Sequence, residues 1–319
     1  MTNSANPSNT EIRIAKAIAR SGLCSRRDAE KWIFQGRVTI NGKQLDTPAC
    51  IITEKDVVMV DGKPLPDAQQ VQLWRYNKPK GLVTTHKDPE GRPTVFRAIQ
   101  DQLPRVISVG RLDINTEGLL LLTTDGHLAR ALELPSTGWL RRYRVRANGR
   151  VTEDQLKKLS DGITVDGVKY GPIEAHLERE QGTNCWLTVA FREGKNREVK
   201  NVLGSLGLQV NRLIRTSYGP FNLGDMNPGE LIEVKRKALI EQLGSKLSKE
   251  IGLSQDRRHT AKTGDKKPVE GKQKPAARQH KPRNPKSGSP KPANSRPGNP
   301  KPGNSKPGNQ RNTQNRRTK

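Results

Sequence analysis

From residue 11 the apolar positions fall into short, regular groups. Ile14, Ala17 and Ile18 recur at helical spacing, and Gly22 suits the residue just past a helix end. Ala29, Trp32 and Ile33 give a second helix an apolar face, with Ser25 placed to cap it, Asp28 three residues later and Gly36 to end it. The period then changes to two. Val38-Thr39-Ile40 leads into Asn41-Gly42, a dipeptide suited to a hairpin turn, and residues 57–60 followed by Asp61-Gly62 repeat the pattern. This first unit, expected over residues 11–70, reads helix, helix, short strands.

A second unit is expected over residues 71–243. Residues 71–76 look like a strand, and the apolar run 119–122 suits a buried one. Asp125 is placed to cap a short helix carrying Leu128, Ala129 and Leu132 that Pro135 stops; Thr152 and Asn196 are placed to cap two more. Residues 142–147 and 186–191 alternate, the latter with Leu187, Val189 and Phe191 on one face, and residues 208–214 return as a strand. Strands and helices interleave without a regular strand–helix–strand rhythm, which favours an α+β fold with a mixed sheet.

Composition changes the picture mainly at the ends. Residues 1–10 are polar and expected to be disordered. From 244 to 319 the chain is a basic Pro/Gly/Asn/Lys tail with a five-residue repeat over 291–310, too poor in apolar groups to offset ordering entropy. The net charge is +26, of which the residues after 250 carry +16 and residues 1–250 the remaining +10. A basic body therefore remains without the tail, and both parts favour a polyanionic partner. Cys24, Cys50 and Cys185 are scattered, without a Cys-x-x-Cys pair, and read as free thiols of a reducing compartment. No apolar run approaches the ~20 residues that span a bilayer. No metal site is expected.

Two segments carry the chemistry. Ser25 to Lys43 combines a helix bearing Arg26, Arg27 and Lys31 with a hairpin bearing Arg37 and Lys43. On residue types alone this is either a solvated helix face or a phosphate-binding one. It resembles the core of the S4 RNA-binding domain, whose Gly-x-Val-x-Val-Asn-Gly hairpin is matched by Gly36-Arg37-Val38-Thr39-Ile40-Asn41-Gly42 with one Ile for Val. The resemblance implies a module that grips structured RNA through phosphates and shape.

The stretch from Gly110 to Thr123 sets Asp113, between Leu112 and Ile114, in a turn-like segment that runs into the apolar strand. Such an Asp serves either as a turn residue or as a carboxylate held at the edge of a core. The stretch resembles the Gly-Arg-Leu-Asp-x-x-Thr-x-Gly-Leu-Leu-Leu-Leu-Thr signature of the small- and large-ribosomal-subunit pseudouridine synthase family at every fixed position. Asn77-Lys78-Pro79-Lys80-Gly81, Arg141 to Val145, and Glu193 to Lys200 resemble three further family segments, with Glu198 in place of the usual Gln and Arg142 where a Lys is common.

The resemblance implies a catalytic trio of Asp113 as nucleophile, Tyr143 stacked on the target uracil, and Lys200 paired with the carboxylate. Arg197, three residues before Lys200, competes for that pairing. Arg92, Arg111 and Arg197 are candidates to hold phosphate. The partner implied is ribosomal RNA, narrowly 23S rRNA or a large-subunit precursor, with no membrane and a monomeric, cytoplasmic protein. Because the isomerisation gains and loses no atom, no cofactor is expected, and the chain has no nucleotide-binding glycine motif. Glu117, four residues after Asp113, allows a paired-carboxylate reading that the basic body disfavours. A non-catalytic RNA-binding assembly factor and a tail-driven nucleic-acid compactor remain as alternatives.

Overall fold

Helix α1 (Ile14–Arg20) and helix α2 (Arg26–Phe34) share a core with strands β1 (Val38–Ile40) and β2 (Val58–Val60), which pair antiparallel. The computed structural model describes residues 11–253; the expectations for residues 1–10 and for 254–319, the repeat included, lie outside them. The helical spacing is the packing face: Ile14, Ile18, Ala29, Ile33 and Val38 are wholly buried. The Ser25 hydroxyl accepts the Asp28 N–H at 3.0 Å to cap α2. Asn41 and Gly42 both take positive φ, as a type I′ turn requires. The Arg20 carbonyl accepts the Gln69 N–H at 2.9 Å and its guanidinium lies 3.5 Å from the Asp125 carboxylate, tying this module to the next.

The second module is a nine-stranded sheet. Its main strands are β3 (Leu73–Lys78), β4 (Thr116–Thr123), β5 (Arg141–Asn148), β6 (Ile173–Gln181), β7 (Asn184–Phe191), β8 (Gln209–Tyr218) and β9 (Leu231–Glu233), in the spatial order β6-β7-β5-β8-β4-β3-β9. Short strands Ile107–Val109 and Phe221–Asn222 add to β4 and β8. β4 and β8 run parallel and the other named pairs antiparallel, so the sheet is mixed. Helices α3 (Val95–Ile99), α4 (Gly126–Glu133), α5 (Glu153–Lys157), α6 (Glu198–Ser205) and α7 (Arg236–Glu250) flank it. The leucines of β4 explain the two-sided cover. Leu120 and Leu122 enter the core that holds Val145, Val202 and Leu203, while Leu119 and Leu121 enter the one that holds Leu128, Leu132 and Leu239.

Gly118 permits the parallel pairing. Its φ is +97°, and a Cβ there would strike the Arg215 carbonyl oxygen and amide nitrogen. Backbone thus closes on backbone just after the Asp113 loop.

Several elements differ from the sequence reading, three of them instructively. Helix α6 starts one residue later than an Asn196 cap would give: Arg197 stands at the cap with φ +50° and no side-chain bond to the helix. Strand β6 was not anticipated, although Ile173, Ala175 and Leu177 alternate with the exposed Glu174, His176 and Glu178; the alternation covers only its first half, and the rest, Glu178 to Gln181, is wholly polar. The ordered body passes the expected boundary at 244. Helix α7 turns at Gly244 and continues, and Ile251 and Leu253 are buried in the core that contains Leu239. Leu243, Leu247 and Ile251 supply a four-residue spacing that the basic composition of the segment obscured. Among the described residues no helix is long and apolar enough to cross a membrane.

Candidate active site

Residues 110–115 form the loop that enters β4, and its backbone is fastened from beneath. The Thr84 hydroxyl donates to the Leu112 carbonyl at 2.8 Å, the Gly81 N–H to that of Ile114 at 2.7 Å, and the Thr116 N–H to that of Asp113 at 3.0 Å. Lys78, wholly buried, donates to the carbonyls of Pro79, Ile114 and Thr116 at 3.0, 3.4 and 2.9 Å. Burial pushes its pKa down to about 8, against the pull of Asp113 and Glu117. This ammonium bonds carbonyls and leaves the Asp113 carboxylate to another cation.

That cation is Lys200. Its Nζ lies 2.9 Å from Asp113 Oδ2, from the first turn of α6, with the Asp113 side chain 40% and the Lys200 side chain 20% exposed. Arg197 is exposed at the rim and makes no ion pair with Asp113 among the described residues. The two residues come together in a cleft of about 490 Å³ that Tyr143, Arg111, Arg197 and Arg215 also line. Tyr143, on β5, lies nearly parallel to Phe191 with ring centroids 5.3 Å apart. One of its ring faces is therefore occupied, and what remains open borders the cleft.

Sequence reasoning missed two buried arginines beside this pair. Arg215 donates from Nε to the Leu119 carbonyl at 2.6 Å and leaves a buried Nη2 with no protein partner. Arg141 donates to the Trp139 carbonyl and to the Tyr218 hydroxyl, each at 3.0 Å. The two guanidiniums lie over the Tyr218 ring at 4.7 and 5.1 Å. The signal was in the strand period: Arg141 shares parity with Tyr143, and Arg215 with Leu213, so both point inward.

Glu198, the departure from the family's Gln, is buried at 2% exposure. Its Oε2 accepts the Lys195 N–H at 2.9 Å and its Oε1 has no partner. Burial pushes its pKa up to about 7. Glu117 is not a second catalytic carboxylate: Arg212 grips both its oxygens at 2.9 and 2.8 Å and holds its pKa below the usual range.

The remaining candidates divide. Arg26, Arg27, Lys31 and Lys43 are exposed on the first module, and Arg111 is exposed at the cleft. The Arg37 guanidinium is committed to Asp61 at 2.8 and 2.6 Å and lies 4.5 Å over Trp32. That of Arg92 is engaged by Asp88 and Glu90 at 2.8 and 2.9 Å.

Comparison with known proteins adds the family. The model for RNA pseudouridylate synthases matches residues 72–205 and that for the S4 domain matches residues 12–58. Together they define an RNA-modifying enzyme that joins a binding module to a catalytic one. An uncharacterized RNA pseudouridine synthase of Rickettsia bellii is 48% identical over 225 residues, covering 70% of this chain and 97% of that protein. Ribosomal large subunit pseudouridine synthase B of Pseudomonas aeruginosa is 38% identical over 285 residues, 85% of this chain and 71% of that one. A crystal structure of a pseudouridylate synthase superposes with a TM-score of 0.52 at 29% identity, covering 73% of this chain and all of that one. The chain belongs to the RNA pseudouridine synthase family.

Proposed function

We propose that this protein isomerises uridine to pseudouridine in ribosomal RNA, with 23S rRNA of the large subunit as substrate and Asp113 as nucleophile. The observation that carries the reading is the Lys200–Asp113 contact at 2.9 Å in a cleft bordered by Tyr143. The choice of RNA is supported by the Pseudomonas aeruginosa relative, which is named a ribosomal large subunit pseudouridine synthase.

In the reaction the N1–C1′ bond of uridine breaks, the base turns, and a C5–C1′ bond forms. C5 loses a proton and N1 gains one, so composition is unchanged. A carboxylate at this position either adds to a carbon of the substrate or takes a proton on the way to a glycal. A base stacked above Asp113 strips it of water, and the Lys200 ammonium offsets that loss. The open edge of Tyr143 packs against the uracil. Arg111 and Arg197, both exposed at the cleft, hold the phosphates of a nucleotide drawn out of its stack, a step that costs a few kcal/mol. We infer a monomer acting in the cytoplasm; Asp113, Tyr143 and Lys200 meet in one cleft of a single chain, so the site needs no group from a partner.

The test is to incubate the protein with unmodified 23S rRNA and with large-subunit precursor particles, and to map pseudouridine by carbodiimide-dependent reverse-transcription stops. A discrete stop with the native protein and none with Asp113→Ala is the expected result. Tight binding without a stop on either substrate would leave an RNA-binding assembly factor as the better reading.

A further inference from the structure

A second recess lies within the second module, on the segment between β3 and β4, and no step above uses it. It has a volume of about 570 Å³ and is lined by His86, Phe96, Arg97 and Arg105 among others, within the size range of small-ligand sites. The His86 ring stacks on Phe96 at a centroid distance of 3.6 Å and an interplanar angle of 12°, yet His86 is exposed. Its exposed surface is therefore the other ring face and the edges. Arg97 and Arg105 have no carboxylate within 4.0 Å among the described residues, whereas Arg92 on the same recess is neutralised by Asp88. An open aromatic face beside two uncompensated guanidiniums is a platform for a base with its phosphate.

Its location supports that occupant. Thr84, two residues before His86, holds the Leu112 carbonyl beside Asp113. At the other end, Asp28 of α2 acts electrostatically on His86, and Arg105 acts on Cys24 of the first module. The segment thus borders both α2 of the first module and the loop that carries Asp113.

We propose that the recess binds an unpaired nucleotide of the substrate RNA, its base stacked on His86 and its phosphate held by Arg97 and Arg105, near the target uridine. The proposal rests on the reading of the protein as an RNA modifier. The recess grips a neighbouring nucleotide so that the target arrives at Asp113 already out of the duplex. It contributes substrate binding and positioning, and touches no reacting atom.

The test uses the full chain with His86→Ala, His86→Tyr and Arg105→Gln, all at solvent-accessible positions, with thermal melts to verify folding. On a 23S rRNA transcript, His86→Ala is expected to raise KM roughly fivefold to tenfold, towards the low end of a base–aromatic stack, with kcat changed far less. His86→Tyr is expected to restore KM, since it keeps a ring face. Arg105→Gln is expected to lower the slope of log affinity against log salt by about one, as loss of one phosphate contact requires. Filter binding of the same transcript to each substitution in an Asp113→Ala background is measured in parallel. If the native protein modifies no RNA, the activity reading fails, while the binding series still scores the recess. Unchanged affinity in His86→Ala and Arg105→Gln, or a loss that Tyr does not restore, overturns the proposal.

Discussion

Replacing Glu198 by Gln is expected to make the protein more stable, and only above a definite pH. The carboxyl is buried, one oxygen accepts the Lys195 N–H, and the other has no partner, so little offsets the penalty on its charged form. Burial first, then the charge of Glu193, raises its pKa from 4.5 to about 7. Below about pH 4.5 the group is neutral in both folded and unfolded chains and carries no penalty. As pH rises towards 7 the unfolded chain ionises freely and the folded one does not, so stability is progressively lost. At about 1.4 kcal/mol per pH unit, the gap between 4.5 and 7 corresponds to roughly 3 kcal/mol, fully expressed above pH 7. Glutamine keeps the acceptor for Lys195 and the shape, and never ionises. Urea unfolding of both proteins at about pH 5 and at about pH 8.5 should show a difference that grows in favour of Glu198→Gln by roughly 2–3 kcal/mol. A difference that stays flat across that range would mean that the carboxyl is charged and solvated in the folded protein, and the burial argument would be wrong.

Other substitutions separate the parts of the site. Lys200→Gln is expected to lower kcat by about 10²-fold or more without unfolding the protein, measured by single-turnover pseudouridine formation; retention of full activity would remove Lys200 from the mechanism. Lys78→Met withdraws the ammonium from the carbonyls of Pro79, Ile114 and Thr116, leaving Ile114 only the Gly81 N–H, and is expected to cost roughly 2–4 kcal/mol in denaturant unfolding, with kcat falling as the Asp113 loop loosens. Gly118→Ala forces a side chain against the Arg215 backbone at φ +97° and is expected to destabilise by about 2–4 kcal/mol in the same assay. Arg27→Ala with Lys31→Ala should weaken RNA binding and flatten its salt dependence with little effect on kcat.

How much of this was legible depends on the range of the interaction. The caps at Ser25, Asp125 and Thr152 and the turn at Asn41-Gly42 are local, and each forms as its residue types dictate. Asp113 and Lys200 are 87 residues apart, and only the family resemblance linked them before the structure placed them in contact. Lys78 read as a strand-end marker because nothing near it in sequence announces a buried ammonium; its acceptors lie 36 and 38 residues away at Ile114 and Thr116. Arg37 and Arg92 read as phosphate ligands because their charge was visible, while the carboxylates that occupy them became visible only in three dimensions. Glu198 stood in the sequence only as a departure from the family's Gln, and what that departure does followed from its burial.

The strand order has a consequence for how the molecule comes into being. β8 is the last long strand to be synthesised, yet it lies in the middle of the sheet, joining β4 and β3 on one side to β5, β7 and β6 on the other. Asp113 belongs to the first half; Tyr143 and Lys200 belong to the second. A nascent chain stopped before residue 209 holds two half-sheets, each with part of the site, and no strand to join them. Catalytic competence therefore arrives late and all at once, as the final long segment slots between its older neighbours. Such non-local closure is slow to fold, whereas the first module, complete by residue 70, draws only on contacts near in sequence.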